Sequence, residues 1–230
     1  MNEINKILLD DYKLVPFHNF WLLLNKKPIQ ELGGTCSDKT LFLKKKLLIE
    51  GVNSNLHSAV INNKNIHRLL KIDIDNKKYF LDVGLGWPIV KPVPIFKNIE
   101  LNHYGVKFKT EIKNNVLTLS RVKEKINIIT YTTTTNDMNQ EKIINEINDR
   151  FTISNKYPFS NSIRFSKIID NKFYFLKGNI LKYTKKNKIV ERKINNLKEY
   201  EYLFRELFKF DYDLALLAAK KTLMFEGDIT

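Results

Sequence analysis

One thiol, one imidazole and one carboxylate stand in this sequence at spacings that suit a nucleophile. Cys36 is the single cysteine of the chain. It lies in Glu31-Leu32-Gly33-Gly34-Thr35-Cys36-Ser37-Asp38, just ahead of a helical run. His67 and Asp82 follow, each on an expected strand. A Cys-His-Asp set is the raw material of nucleophilic catalysis: the base takes the thiol proton and the carboxylate orients the base. A lone cysteine is more often a small buried hydrophobe, so the case rests on the elements that hold these three residues.

The thiol first. Leu41, Phe42, Leu43, Leu47, Leu48 and Ile49 recur at helical spacing and predict a broad apolar helix face, with Gly51 as its stop. Thr35 and Asp38 stand three apart at its front, a capping box with Asp in place of Glu. Cys36 then falls in the first helical turn. There, free N–H groups and the helix dipole stabilise a thiolate and can hold an oxyanion. Gly33 and Gly34 let the backbone turn tightly into the helix and leave room for a substrate.

The hairpin second. His67 to Ile74 alternates as a strand, Asp75-Asn76 is a turn signal, and Lys77 to Val83 returns. A two-residue loop pairs residues whose numbers sum to 151, so Asp82 faces Leu69 and His67 faces Gly84. His67 and Asp82 then share a face as diagonal neighbours. A loop one residue longer sends them to opposite faces. Asp82 sits among Phe80, Leu81 and Val83, and a buried carboxylate needs a partner. His18, His57 and His103 read as satisfied surface or boundary residues, with His103 in a loop. No histidine pair has metal-ligand spacing and one cysteine excludes a thiolate zinc site, so no metal is expected.

Composition bounds the rest. At 230 residues, 43% hydrophobic and 12% aromatic, the chain has the means for a packed core. No window of about 18 apolar residues predicts a membrane span, and the first residues lack a signal-peptide core. With a single thiol this suggests a cytoplasmic setting. The net charge of +14 invites a nucleic-acid reading. Lysine supplies nearly all of it in short runs such as Lys44-Lys45-Lys46, which favours a solvated face. Attraction of a phosphorylated small molecule or an acidic carrier protein is the functional alternative.

The order of elements predicts an α+β fold. Residues 1–54 read as a short helical region carrying the thiol. Residues 55–135 read as a central antiparallel, barrel-like β domain carrying His67 and Asp82, with strands over 55–61, 67–74, 78–83, 106–110, 116–122 and 126–131. Residues 136–230 read as an α/β lid, with helices over 137–149, 196–209 and 212–223 and strands over 163–169, 173–176 and 189–194.

These motifs resemble the arylamine N-acetyltransferases, a family of acyl-CoA-dependent Cys-His-Asp enzymes. The family pattern Arg-Gly-Gly-x-Cys-x-Glu reads here Leu32-Gly33-Gly34-Thr35-Cys36-Ser37-Asp38. The family histidine opening a strand is His67, and Asp-Val-Gly-Phe-Gly is Asp82-Val83-Gly84-Leu85-Gly86. Pro16-Phe17-His18-Asn19 is similar to the family's Pro-Phe-Glu-Asn, and Pro158-Phe159-Ser160 with the closing helices fits its third domain. The departures are Leu32 for the arginine, Asp38 for the glutamate and Thr40 for an asparagine, so an Arg-Glu brace on the cysteine loop is expected to be missing.

The resemblance implies a cysteine-protease- or transglutaminase-like core and a ping-pong acyl transfer. Acetyl-CoA, or another acyl-CoA or carrier-protein thioester, would acylate Cys36, and a small amine or hydroxylamine would accept the acyl group. Gly33, Gly34, Thr35, Gly84, Gly86 and Trp87 are expected to line the cleft. Two rivals stand beside this reading. One is an amide synthase or transglutaminase-like enzyme with the same triad. The other is a non-catalytic homologue that binds a ligand or nucleic acid.

Overall fold

A computed structural model describes residues 1–151 and 161–222. Pro158-Phe159-Ser160 lies outside the described residues, as does the end of the helix expected over 212–223.

The chain opens with helix α1 (Asn2–Leu14), strand β1 (Phe17–His18), helix α2 (Phe20–Leu24) and helix α3 (Cys36–Ile49). The strands β2 (Ser54–Ile61), β3 (Lys64–Ile74), β4 (Lys77–Leu81), β5 (Val93–Pro94), β6 (Glu100–His103), β7 (Val106–Lys113), β8 (Val116–Lys123) and β9 (Ile126–Thr134) follow. After helix α4 (Gln140–Asn148) come β10 (Arg164–Ile169), β11 (Lys172–Lys177), β12 (Ile180–Lys185) and β13 (Lys188–Lys193). Helices α5 (Leu197–Tyr202) and α6 (Tyr212–Lys221) close the described chain, with a π-turn at Leu203–Leu207 between them. The fold is α+β, as its element order predicts.

Two antiparallel sheets carry it. The larger has the order β5-β4-β3-β2-β9-β8-β7-β6, and the smaller β1-β10-β11-β12-β13. Strand β1, inside a stretch that reads as helical, pairs Phe17 with Ser166 and His18 with Phe165. Two residues are too few for alternation to show, so tertiary pairing sets them. The short β5 and β6 escape the pattern for the same reason, and His103 ends β6 rather than lying in a loop.

The β3–β4 hairpin pairs Ile74 with Lys77 and Leu70 with Leu81, numbers that sum to 151. Its turn residues Asp75 and Asn76 both take positive φ, 52° and 58°. That is the primed turn whose twist matches the strands, and Asp and Asn tolerate it. On β3 the pairing with β2 shifts between Ala59↔His67 and Val60↔Asn65. Ile66 is therefore an extra, bulged residue immediately before His67, and bulges re-aim neighbouring groups.

Three apolar cores hold the body together. Ile4, Ile7, Leu8 and Tyr12 of α1 pack with Leu43 and Leu47 of α3, Leu70 and Leu81 of the hairpin, and Phe173 and Phe175 of β11. This core draws on both sheets, so the site beneath it has rigid walls. Phe20, Phe165, Phe204 and Phe208 centre the second core, and Phe80, Phe108 and Tyr131 the third. Among the described residues, no helix is long and apolar enough to cross a membrane.

Candidate active site

Cys36 is the first residue of α3, and Thr35 is its N-cap. The Asp38 carboxylate accepts from Thr35 N–H at 2.9 Å and from the Thr35 hydroxyl at 2.8 Å. The box fixes the turn that presents the thiol. At the far end, Gly51 N–H donates to Leu48 O (3.1 Å) and Val52 N–H to Leu47 O (2.8 Å), a Schellman stop with Gly51 at φ 73°. The buried face differs from the apolar-pattern expectation. Leu48 and Ile49 are exposed, whereas Ser37, Asp38, Lys39 and Thr40 are buried beside Cys36. The polar front of the helix goes inside because each of these groups can find a partner there. Thr40 donates to Arg68 O at 3.0 Å, and Lys39 Nζ donates to Asp11 Oδ1 and Val15 O. Asp11 comes from the otherwise apolar face of α1.

The structure brings Cys36, His67 and Asp82 together. His67 Nε2 and Asp82 Oδ2 are 2.9 Å apart, both side chains buried. This leaves Nδ1 free of the carboxylate, and the Cys36 thiol and His67 imidazole line the same cavity. The thiol also lies 3.5 Å from the carbonyl of the bulged Ile66. Asp82 Oδ1 accepts from Gly84 N–H at 3.0 Å. The Arg68 guanidinium, paired with Glu146, donates to His67 O at 2.9 Å and pins the strand there.

Burial alone pushes the Cys36 thiol pKa up. The hydrogen bond and charge of His67, with Arg68 behind it, outweigh burial and leave it lowered. Burial likewise opposes an imidazolium, but the Asp82 charge and hydrogen bond raise His67 to about 10. The two shifts act in the same sense and favour the thiolate–imidazolium pair over thiol and neutral imidazole.

Two tyrosines that sequence reasoning missed frame the carboxylate. The Tyr12 hydroxyl reaches Asp82 O (3.1 Å) and Trp87 O (2.8 Å) and accepts from Ile89 N–H (3.3 Å), so it holds the loop after β4 at both ends. Tyr131 lies with its ring 5.2 Å from the His67 ring. Burial first, then the Asp82 charge, push its phenol pKa well up, so it stays protonated beside the carboxylate. The signal for Tyr131 was a single tyrosine in a run of isoleucines and threonines. Ile126, Ile128 and Ile129 are exposed and Tyr131 is buried, the reverse of what hydrophobicity suggests.

A cavity of about 200 Å³ opens on Cys36 and His67. Phe17, Ile61, Ile66, Leu85 and Trp87 wall it, with Asn62, Thr130, Arg164 and Gly84. Trp87 stacks on Phe175 with ring centroids 4.8 Å apart. Gly33, Gly34, Thr35 and Gly86, expected at the cleft, are not among these lining residues. Their reasons are packing. A Cβ on Gly33 would stand 2.0 Å from Pro16 O, and one on Gly34 2.5 Å from Asp38 Oδ2.

His18, His57 and His103 are buried, not at the surface. His18 Nδ1 accepts from Phe20 N–H (3.2 Å), so Nε2 carries the proton and donates to Leu32 O (3.0 Å). Burial lowers its pKa to about 3 and that of His57 to about 4. Both are neutral struts for backbone carbonyls. His18 and Leu32 thus meet at one contact. The cysteine loop is not without an arginine either: Arg150, from the turn after α4, makes a buried ion pair with Asp38. Distance in sequence hid it. Among the described residues no cluster of His, Cys, Asp and Glu could hold a metal ion.

The sequence matches the family model described as N-acetyltransferase over residues 2–217. No curated protein matches it. Solved structures share the fold. Arylamine N-acetyltransferase from Salmonella typhimurium has a TM-score of 0.79 at 14% identity, covering 95% of this chain and 91% of that one. The Mycobacterium marinum enzyme in complex with CoA has 0.80 at 12%, covering 96% and 93%. The Mycobacterium smegmatis enzyme has 0.78 at 16%, covering 96% and 92%.

Proposed function

The chain belongs to the N-acetyltransferase family, and from that premise we propose that Cys36, His67 and Asp82 carry an acyl group from a CoA thioester to a small aromatic amine. The observation that carries this is the buried His67–Asp82 pair, which shares one cavity with Cys36 at a helix N-terminus.

The Cys36 thiolate attacks the thioester carbonyl. The oxyanion forms beside the first-turn N–H groups of α3, which have no acceptor within the helix. The CoA sulfur leaves and takes its proton from the His67 imidazolium. The product is an S-acyl cysteine and a neutral imidazole. An amine then attacks the acyl carbon, His67 removes its proton, and Cys36 departs as thiolate. Asp82 orients His67 through Nε2 and sets which nitrogen faces the sulfur. One site serves both half-reactions, so free CoA must leave before the amine enters.

The cavity supports a short acyl group. Its volume of about 200 Å³ lies below the roughly 300–1,000 Å³ of pockets for drug-sized ligands. Phe17, Leu85 and Trp87 make its wall apolar, which suits a small aromatic ring. Initial rates with acetyl-CoA against 4-aminobenzoate and aniline test the proposal. Parallel double-reciprocal lines are expected. Intersecting lines contradict an acyl-enzyme, and turnover with an acyl-carrier thioester but not with acetyl-CoA replaces the donor.

A further inference from the structure

Asp38 is a buried carboxylate two residues after Cys36, and both of its oxygens are engaged. One oxygen, Oδ2, holds the N-cap of α3 through Thr35 N–H and hydroxyl. The other, Oδ1, accepts from Arg150 Nη2, a residue 112 positions further along the chain. Arg150 is buried too, 6% exposed. Its Nη1 donates to Ile147 O at the end of α4, and its guanidinium lies 4.4 Å from the centroid of the Phe151 ring. An arginine gripped from three sides has one orientation. Leu32, just before the two glycines, gives a backbone carbonyl to His18.

We infer that Arg150 is a positioning residue for the Cys36 nucleophile, acting through Asp38. It neutralises the carboxylate that caps the helix and fixes the turn in which the thiol sits. The brace on the cysteine turn thus comes from the segment after α4. This rests on Cys36 being the nucleophile, and the readout is chosen to separate the two claims.

The experiment is alkylation of Cys36 by iodoacetamide across about pH 5–9, with Tm and kcat/KM for each protein. The proteins are wild type, Arg150→Met, Arg150→Lys, Asp38→Asn and the Arg150→Met/Asp38→Asn pair. The other charges about the thiol stay constant: His67, Arg68 and Glu146, Asp82, Asp11 with Lys39, and Arg164. Arg150→Met leaves the Asp38 carboxylate without its ion-pair partner and loosens the turn that presents the thiol. Its alkylation midpoint should rise by about one pH unit, a tenfold slower reaction on the acid limb. Arg150→Lys keeps the charge and should stay within about threefold of wild type. Asp38→Asn keeps an acceptor for Thr35 and leaves Arg150 unpaired, so its midpoint should fall. The pair should return toward wild type.

A wild-type midpoint in folded Arg150→Met, with only Tm lowered, overturns the inference and leaves Arg150 a structural brace. If Arg150→Met does not fold, the sign of the Asp38→Asn shift carries the same test, and an unchanged or raised midpoint there overturns it. A wild-type midpoint at the ordinary thiol value, about 8.5, instead removes the thiolate reading of Cys36.

Discussion

Gly84→Ala should stop this protein from working while barely touching its surface. Gly84 lines the cavity, and a Cβ built there would lie 2.4 Å from both Cα and Cβ of Cys36. Carbon atoms rest about 3.5–4.0 Å apart, so one methyl group demands a displacement of at least about 1.1 Å between the two backbones. Gly84 does not have positive φ, so the alanine meets no conformational strain and the clash is the whole perturbation. Overpacking of this kind costs about 1–3 kcal/mol. The fold should survive with a Tm lower by a few degrees, about 2–4 °C for each kcal/mol in a chain of 230 residues. Catalysis should not survive so well. Movement of about 1 Å takes the sulfur off the His67 imidazole, and misplacements of that size cost about 10²-fold. The assay is kcat/KM for acetyl transfer beside thermal unfolding. An alanine variant that folds and keeps activity within about threefold refutes the reasoning, because the thiol would then tolerate a displacement that the geometry says it cannot.

Asp82→Asn should lower the rate by roughly 10²–10⁴-fold with Tm changed far less, since the amide no longer fixes the histidine nitrogen that faces the sulfur; equal losses of rate and folded fraction would argue for a structural role. Acyl-enzyme formation should fall on the acid side where Cys36 takes up a proton, below the usual thiol value of about 8.5. It should fall again near pH 10, where His67 loses its proton and can no longer supply one to the leaving sulfur. A profile with an acid limb at 8.5 contradicts the ion pair. Lys39→Met strands Asp11 in the core and should cost about 3–5 kcal/mol in denaturant unfolding. Adding Asp11→Leu should recover most of that loss, and no recovery would mean the pair was not the cause.

What was legible in the sequence were the local rules. Asp75-Asn76 sets a two-residue turn, and the register that follows from it runs to Leu70 opposite Leu81; Asp82, expected on the strand, lies just past its end. Thr35 and Asp38 place the start of α3 because a cap is a contact three residues long. Contacts across the chain were not legible. Nothing near Cys36 announces that Arg150 will reach Asp38, or that Asp11 on an apolar helix face will neutralise Lys39. The bulge at Ile66 is a mismatch of register with β2 opposite it, which no pattern within its own strand displays. The exposed isoleucines of β9 mislead for a related reason: a strand's buried face is set by its neighbours, and here it favours Tyr131. The glycines were read for the right positions and partly the wrong reason. Gly84 makes room for Cys36 itself, whereas Gly33 and Gly34 make room for Pro16 and Asp38.

The central claim is that Cys36 becomes acylated, and intact mass after mixing with acetyl-CoA alone reads it directly. Wild type should gain one acetyl group on the peptide containing Cys36, the chain's single cysteine. The group should be lost on adding an aromatic amine as the acetylated amine appears. Cys36→Ala should gain nothing. An adduct that persists in Cys36→Ala, or a wild-type protein that releases acetylated amine without ever carrying the group, contradicts the account.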